Sequence, residues 1–405
     1  MSIVNSKSGG SNYRWYVLVL ASLTFTFTVA MQQICMTVLF DEIVEDLGLN
    51  LVEVGVVWGA PALAALFAVL IGGLLSDRYG AKRVMGVACI LAGLTGAMRG
   101  FSVGFVSLAF TTFLFGLSIW VIPASVFKTT ATWFSGRQLV LANGVVSTGM
   151  GFGYTVGAMI SATVMSPLLG GWHSVVFLYG GISIIMGLLW LLVVRGPEQL
   201  GLAGSGGGVS LRQSVSRVFP LKAIWLIGLT LFGYIGCLQG VIGYLPLYLR
   251  GIGWTGVTAD GTLAAFNGFS TLGAIPLALL ANKFGLRKAV LFPVLLITVA
   301  GVALLPLVSN VMVWVLMIVV GLPRDGFMAV SLTMSTEAKG IGVLYAGTAV
   351  GLAQTILNLG SFSAPPLGNS LAEAGSSFPF FFWAAFGLLG LVAFCFVKET
   401  GSRRG

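Results

Sequence analysis

The chain has 405 residues, 57% of them hydrophobic and only 8% charged, and its mean hydropathy is +1.00. That balance excludes an ordinary soluble domain, whose helices set a polar face against an apolar one. The net charge of +9 gathers in short turns between apolar runs. Membrane proteins carry their basic residues there, so lipid head groups and not nucleic acid are the expected partners.

A helical span needs about 20 apolar residues. Twelve runs qualify: 14–40, 52–75, 84–103, 105–131, 138–165, 172–194, 223–249, 258–281, 289–308, 310–334, 342–366 and 377–397. An even number puts both termini on one side. Of the 21 basic residues, all but Arg99, Lys128, Arg250 and Arg324 then fall on that side. It is expected to be cytoplasmic, with the protein in the inner membrane. The opposite loops collect Asp41, Glu42, Glu45, Asp46, Glu53, Asp260 and Glu373. The first run is too long for a cleavable signal peptide.

Span 1 carries Gln32 and Gln33. Adjacent helical residues point about 100° apart, so one amide can face a cavity and the other a neighbouring helix. Glue between helices and contact with a substrate are both open readings. Span 2 ends in GGLLSDRYGAKR, Gly72 to Arg83, with Gly73, Asp77, Arg78, Gly80, Lys82 and Arg83 as a candidate gating loop. Glycines at 72, 73 and 80 would let two helices approach and turn. Span 3 closes on Arg99, expected to snorkel to water at the outer edge. In span 4, Trp120, Ala124 and Lys128 share one face; Lys128 reads either as an interfacial anchor or as a cavity cation. Span 5 has Gly149, Gly153 and Gly157 on one stripe, expected to pack on the other half of the molecule. A Gly/Ser-rich linker, 195–222, follows the first half, 1–194, and precedes the second, 223–405.

Span 7 carries Tyr234, Gln239 and Tyr244. A shift of 205 residues takes Gln33 to Leu238, beside Gln239. The same shift lays Gly80 on Gly285 and Arg78-Tyr79 on Lys283-Phe284, within ALLANKFGLRK. The chain therefore reads as a duplicated half. Span 10 contains VGLPRDGFMAVS. Arg324 and Asp325 lie about 20 Å into it, where a charge costs about 2.5–3.5 kcal/mol even on the lenient scale. Pro323 removes a helical donor beside them, and broken helices border substrate sites in transporters. A substrate site and a structural ion pair are both open readings here. Tyr345 opens span 11.

At the loop after span 2 the sequence G-x-L-S-D-R-Y-G-A-K-R resembles the signature between helices 2 and 3 of the major facilitator superfamily, and Asn282 to Lys288 resembles its weaker second copy. TWFSGRQLVLANG after span 4 and Pro-Glu-x-x-Gly-Leu after span 6 resemble the monocarboxylate, oxalate–formate and nitrate carriers of that family. The resemblance implies an all-α membrane protein of twelve helices in two pseudo-symmetric six-helix bundles, with a cavity that opens alternately to each side. Two features depart from it. Span 5 lacks the family's antiport Gly-Pro pair, and span 8 lacks the charges of the monocarboxylate and nitrate carriers.

The leading expectation is a monomeric secondary carrier of a small organic anion, run as proton symport. Arg324 would hold the anion's carboxylate by two bonds, with Lys128 assisting from the inner side. Asp325 would carry the proton, and Gln33, Trp120, Tyr234, Gln239 and Tyr345 would shape the pocket. The alternative is an exporter of amphiphilic compounds by proton antiport. No Walker loop, nucleotide fingerprint or metal-ligand cluster occurs, so neither an enzyme nor a cofactor is expected.

Overall fold

The computed structural model describes residues 13–194, 216–338, 341 and 345–400, apart from the side chains of Leu70, Asp77 and Arg137. Among the described residues, twelve helices run along the molecule. In the first bundle they are α1 (Tyr13–Leu47), α2 (Leu51–Tyr79), α3 (Ala81–Phe101), α4 (Phe105–Trp133), α5 (Gln138–Leu169) and α6 (Trp172–Leu192). In the second they are α7 (Lys222–Gly251), α8 (Gly256–Phe284), α9 (Arg287–Leu307), α10 (Val311–Glu337), α11 (Ala346–Asn369) and α12 (Phe378–Phe396). Eleven of the helices among the described residues are both long and apolar enough to span a bilayer. The remaining one, α11, has 24 residues, about 36 Å, but carries Gln354, Asn358, Ser361 and Ser363 along its length. Most of the expected linker, 195–215, lies outside the described residues, as does Lys339.

Local chemistry sets the helix ends. Asn50 starts α2 with a reciprocal cap: its Oδ1 accepts from Glu53 N and its own N donates to Glu53 Oε2, both at 2.9 Å. The candidate gating segment is not a loop. Gly73 to Tyr79 belong to the last turns of α2, and α3 begins at Ala81. Gly80 alone makes the turn, at φ 85°, and Gly285 does the same at 61° between α8 and α9. Both angles lie where a side chain is strained. Gly72, not Gly73, supplies the close approach, since a Cβ there would collide with Val121 of α4.

The glycine stripe of α5 meets a different partner from the one expected. Gly149, Gly153 and Gly157 press on Ser22, Thr26 and Met31 of α1, inside their own bundle. Gly151 and Thr155, roughly 200° around the helix, meet Thr271 and Gly268 of α8 in the other bundle. Spacing alone defines a stripe but not the direction in which it faces.

The bundles join at the acidic end. Gly55 and Gly59 of α2 lie against Pro366 and Phe362 of α11, and Asn369 Nδ2 donates to Leu51 O at 2.7 Å. Trp58 Nε1 donates to Gln239 O at 2.9 Å and seats its ring on Gly243. Toward the basic end the bundles part. The inner segments Ile122–Trp133 of α4 and Arg324–Glu337 of α10 pack on helices of their own bundles. A Cβ on Gly144, Gly347 or Gly351 would meet only open space. Contacts between the bundles among the described residues thus gather at the acidic end and at mid-depth, and the space between the bundles on the basic side of those contacts is the cleft.

Candidate functional site

The floor of that cleft is built on a break in α10. Val311–Gly321 and Arg324–Glu337 are separate helical segments, joined through Leu322 and Pro323. Pro323 has no N–H to give, and its carbonyl instead accepts from Phe327 N at 2.8 Å to start the second segment. Gly321 and Gly326 let the break press on α8: a Cβ at either would strike Phe266 or Leu277. Small residues here bring Arg324 against α8.

Arg324 therefore lies over the Phe266 ring, with Cζ 5.4 Å from the centroid, and Nη1 donates to Asn267 Oδ1 at 3.3 Å. Its side chain keeps 20% exposure. Asp325 is 42% exposed; its Oδ1 lies 4.0 Å from Arg324 Nη1, the outer limit of an ion pair. Tyr234 of α7 is fully buried and stacks on Phe327 at 4.0 Å, behind this corner.

Across the cleft, Tyr154 of α5 donates its hydroxyl to Gln33 Oε1 of α1 at 2.9 Å. The next residue, Thr155, lies against Gly268 of α8, and Gly268 adjoins the Asn267 that holds Arg324. The site thus combines α1 and α5 of one bundle with α8 and α10 of the other. An anion entering from the basic end would meet one incompletely paired guanidinium, one carboxylate and neutral donors. Such a guanidinium can grip a carboxylate through two parallel hydrogen bonds.

The two glutamines separate as helical geometry requires. Gln33 faces Tyr154. Gln32 is wholly buried and donates through Nε2 to Tyr179 O and Ser183 Oγ of α6, at 2.7 and 2.6 Å. Arg99 corrects the snorkelling expectation. It is fully buried, donates to Gln32 O at 3.1 Å and Gly96 O at 3.1 Å, and lies 4.2 Å from the Phe115 ring centroid. Two carbonyls and an aromatic face replace the water it would have sought.

The other sequence-derived candidates are scattered. Lys128 is exposed, and its Nζ donates to Ser76 O of α2 at 2.9 Å. Trp120 occupies the joint between the two segments of α4, packed on Phe115 and Ile119. Gln239 lies in the acidic-end seal, its carbonyl bonded to Trp58. Tyr345 packs near Val218, Ile224 and Ala349 at the basic end, about 20 Å along the bundle from Arg324. Tyr154 escaped sequence reasoning, and Asn267 was not marked as a site residue. The available signal is the lone tyrosine of α5, one residue after Gly153 and so beside the glycine stripe.

The family model of the Major Facilitator Superfamily matches residues 20–365. A probable galactarate/D-glucarate transporter of Escherichia coli (strain K12) is 26% identical over 59% of this chain and 59% of its own length. A transporter of the same description from Bacillus subtilis (strain 168) is 24% identical over 91% of this chain and 88% of its own. Among solved structures, a bacterial homolog to the human lysosomal transporter Spinster, inward-facing and unoccupied, superposes with a TM-score of 0.77 at 14% identity. That match covers 96% of this chain and 95% of the other.

Proposed function

Because this chain belongs to the major facilitator superfamily, a family of multi-pass membrane carriers and not of enzymes, we propose that it carries a small carboxylate anion by alternating access, in symport with a proton. The observation behind this reading is Arg324, held at a helix break with 20% exposure and only a 4.0 Å contact to its one acidic neighbour. A cation left incompletely neutralised deep in a bilayer calls for an anionic guest. The names of the two relatives, both galactarate/D-glucarate transporters, point to the same chemistry.

Asp325 is the proposed proton carrier. It shares the cleft with Arg324, so its protonation and the anion's arrival are electrostatically linked. Gln33, Tyr154 and Asn267 would orient the anion, and Tyr234 would back the pocket through Phe327. The acidic-end seal and basic-end opening support an inward-open state, with the basic end cytoplasmic under the positive-inside rule. An exporter of cationic amphiphiles would need an acid free of a cation, and Asp325 has Arg324 beside it.

The test is uptake of labelled glucarate, and counterflow of the same acid, in proteoliposomes containing Arg324→Ala. Both should fall to background while the variant's thermal unfolding in detergent stays that of the parent. Uptake unchanged in Arg324→Ala would remove the anion reading.

A further inference from the structure

A second concave feature lies outside the cleft, on the flank of the first bundle. It is a groove of about 570 Å³ between the basic ends of α2 and α3 and the middle of α4. Leu75, Val84, Val87, Leu91 and Leu117 are among its walls, and Leu75, Val87 and Leu91 are exposed. The approach of Gly72 to Val121 closes its back. The two hydroxyls in its interior are turned to their own helices: Thr95 Oγ1 donates to Leu91 O at 2.7 Å and Ser118 Oγ to Leu114 O at 3.1 Å. The interior therefore offers an apolar guest no unmet polar group. From Arg83 to Thr95 is about 18 Å along α3, close to the depth of one leaflet's hydrocarbon.

The mouth is charged. Arg83 lines it and is exposed, and no ion pair among the described residues involves it. Tyr79 lines it too, with Arg78 Cζ 5.3 Å from its ring centroid. Lys82 is next in the chain to Arg83. A basic mouth over a one-leaflet apolar slot matches a phosphate joined to an acyl chain, and basic pockets between spans hold anionic head groups. We infer that the α2–α3–α4 groove seats one acyl chain of an anionic phospholipid from the basic-side leaflet, with its phosphate on Arg83. The site is independent of what the central cleft carries.

Native mass spectrometry of the full chain, exchanged into mixed phosphatidylglycerol and phosphatidylcholine micelles, tests this. The parent should retain one phosphatidylglycerol in preference to phosphatidylcholine. Arg83→Gln should reduce retention about fivefold. Val87→Trp, which fills an exposed stretch of wall, should reduce it at least as much. Lys283→Gln, in the matching turn of the second bundle, should leave it unchanged. Equal retention in Arg83→Gln and Val87→Trp overturns the inference. So does an equal loss in Lys283→Gln, or no preference between the two lipids. Displacement of the lipid by inorganic phosphate alone would also overturn it, since that would make the mouth a simple phosphate site.

Discussion

Arg324 Nη1 of α10 donates to Asn267 Oδ1 of α8 at 3.3 Å. The bond is side chain to side chain within one bundle, so it steers the guanidinium without neutralising it. Asn267 itself is 3% exposed, and its Nδ2 donates to Leu263 O at 2.9 Å, which fixes the direction of Oδ1. Removing the acceptor should leave the charge in place but badly aimed. Asn267→Ala is expected to raise KM for glucarate about tenfold, the worth of one hydrogen bond to a charged group, with the maximal rate largely kept. A transport assay that finds KM unchanged would separate Asn267 from the anion site.

Asp325 is expected to behave differently. Its side chain is 42% exposed, so substitution should not disturb packing. Asp325→Asn should abolish the response of uptake to an inward proton gradient while one-for-one counterflow persists, because exchange requires no net proton movement. Uptake in Asp325→Asn vesicles that still tracks an imposed pH difference would assign the proton to another group.

Much of this architecture is legible from hydropathy, because span length is set by bilayer thickness and not by tertiary detail. The repeat was readable for a similar local reason: Gly80 and Gly285 both hold positive φ angles, so the demand is written at one position. Arg324 and Pro323 stood out because a charge and a missing donor are anomalies inside any span. What failed depended on direction. Its place at a span's end points Arg99 to water, but one of its two carbonyl acceptors comes from α1, 67 residues away in sequence. Periodicity fixes relative faces and leaves absolute ones free, so spacing points the α5 stripe at the other bundle as readily as at its own. Tyr154 is unremarkable by type in an apolar helix; only folding places it opposite Arg324.

The buried contact between Arg99 and Gln32 makes a stability prediction. Gln32 O accepts from Arg99 Nη1 at 3.1 Å, and Gln32 Oε1 is 3.4 Å from Nη2. Among the described residues no carboxylate pairs with this guanidinium. Gln32→Leu removes the side-chain acceptor and leaves the charge buried beside an alkyl chain. Arg99→Met removes the charge and leaves an amide still bonded to Tyr179 and Ser183. In Gln32→Leu the guanidinium keeps only the backbone carbonyls of residue 32 and Gly96, and Tyr179 O and Ser183 Oγ lose their donor. A buried charge that loses an acceptor costs more than a lost neutral bond, so Gln32→Leu should lower the unfolding temperature more than Arg99→Met does. The double variant should be no worse than Gln32→Leu, which is the non-additivity expected of contacting residues. Additive losses in a thermal scan would mean the two side chains act independently.

At the acidic end, Arg250 of α7 joins both bundles unequally. Nη2 meets the wholly buried Asp260 of its own bundle at 2.8 Å, whereas Nε reaches Asp41 of the other at 3.9 Å, and Asp41 is 59% exposed. The first contact is short and shielded. The second is long and wet, worth at most about 1 kcal/mol. It is the only ion pair between the bundles among the described residues. A carrier that must open this end needs a cross-link that breaks easily, and the geometry meets that need. A cysteine at Gln239, behind the Trp58 seal, reports opening through an impermeant maleimide applied from the acidic side in a Cys395→Ser background. Asp41→Asn should raise labelling by up to about fivefold with no change in unfolding temperature. Arg250→Ala should raise it further and also destabilise the fold, because Asp260 is left buried and unpaired. If neither variant changes the labelling rate, the apolar contacts of α2 with α11 and of α5 with α8 hold the seal by themselves, and the Arg250–Asp41 pair has no part in closing it.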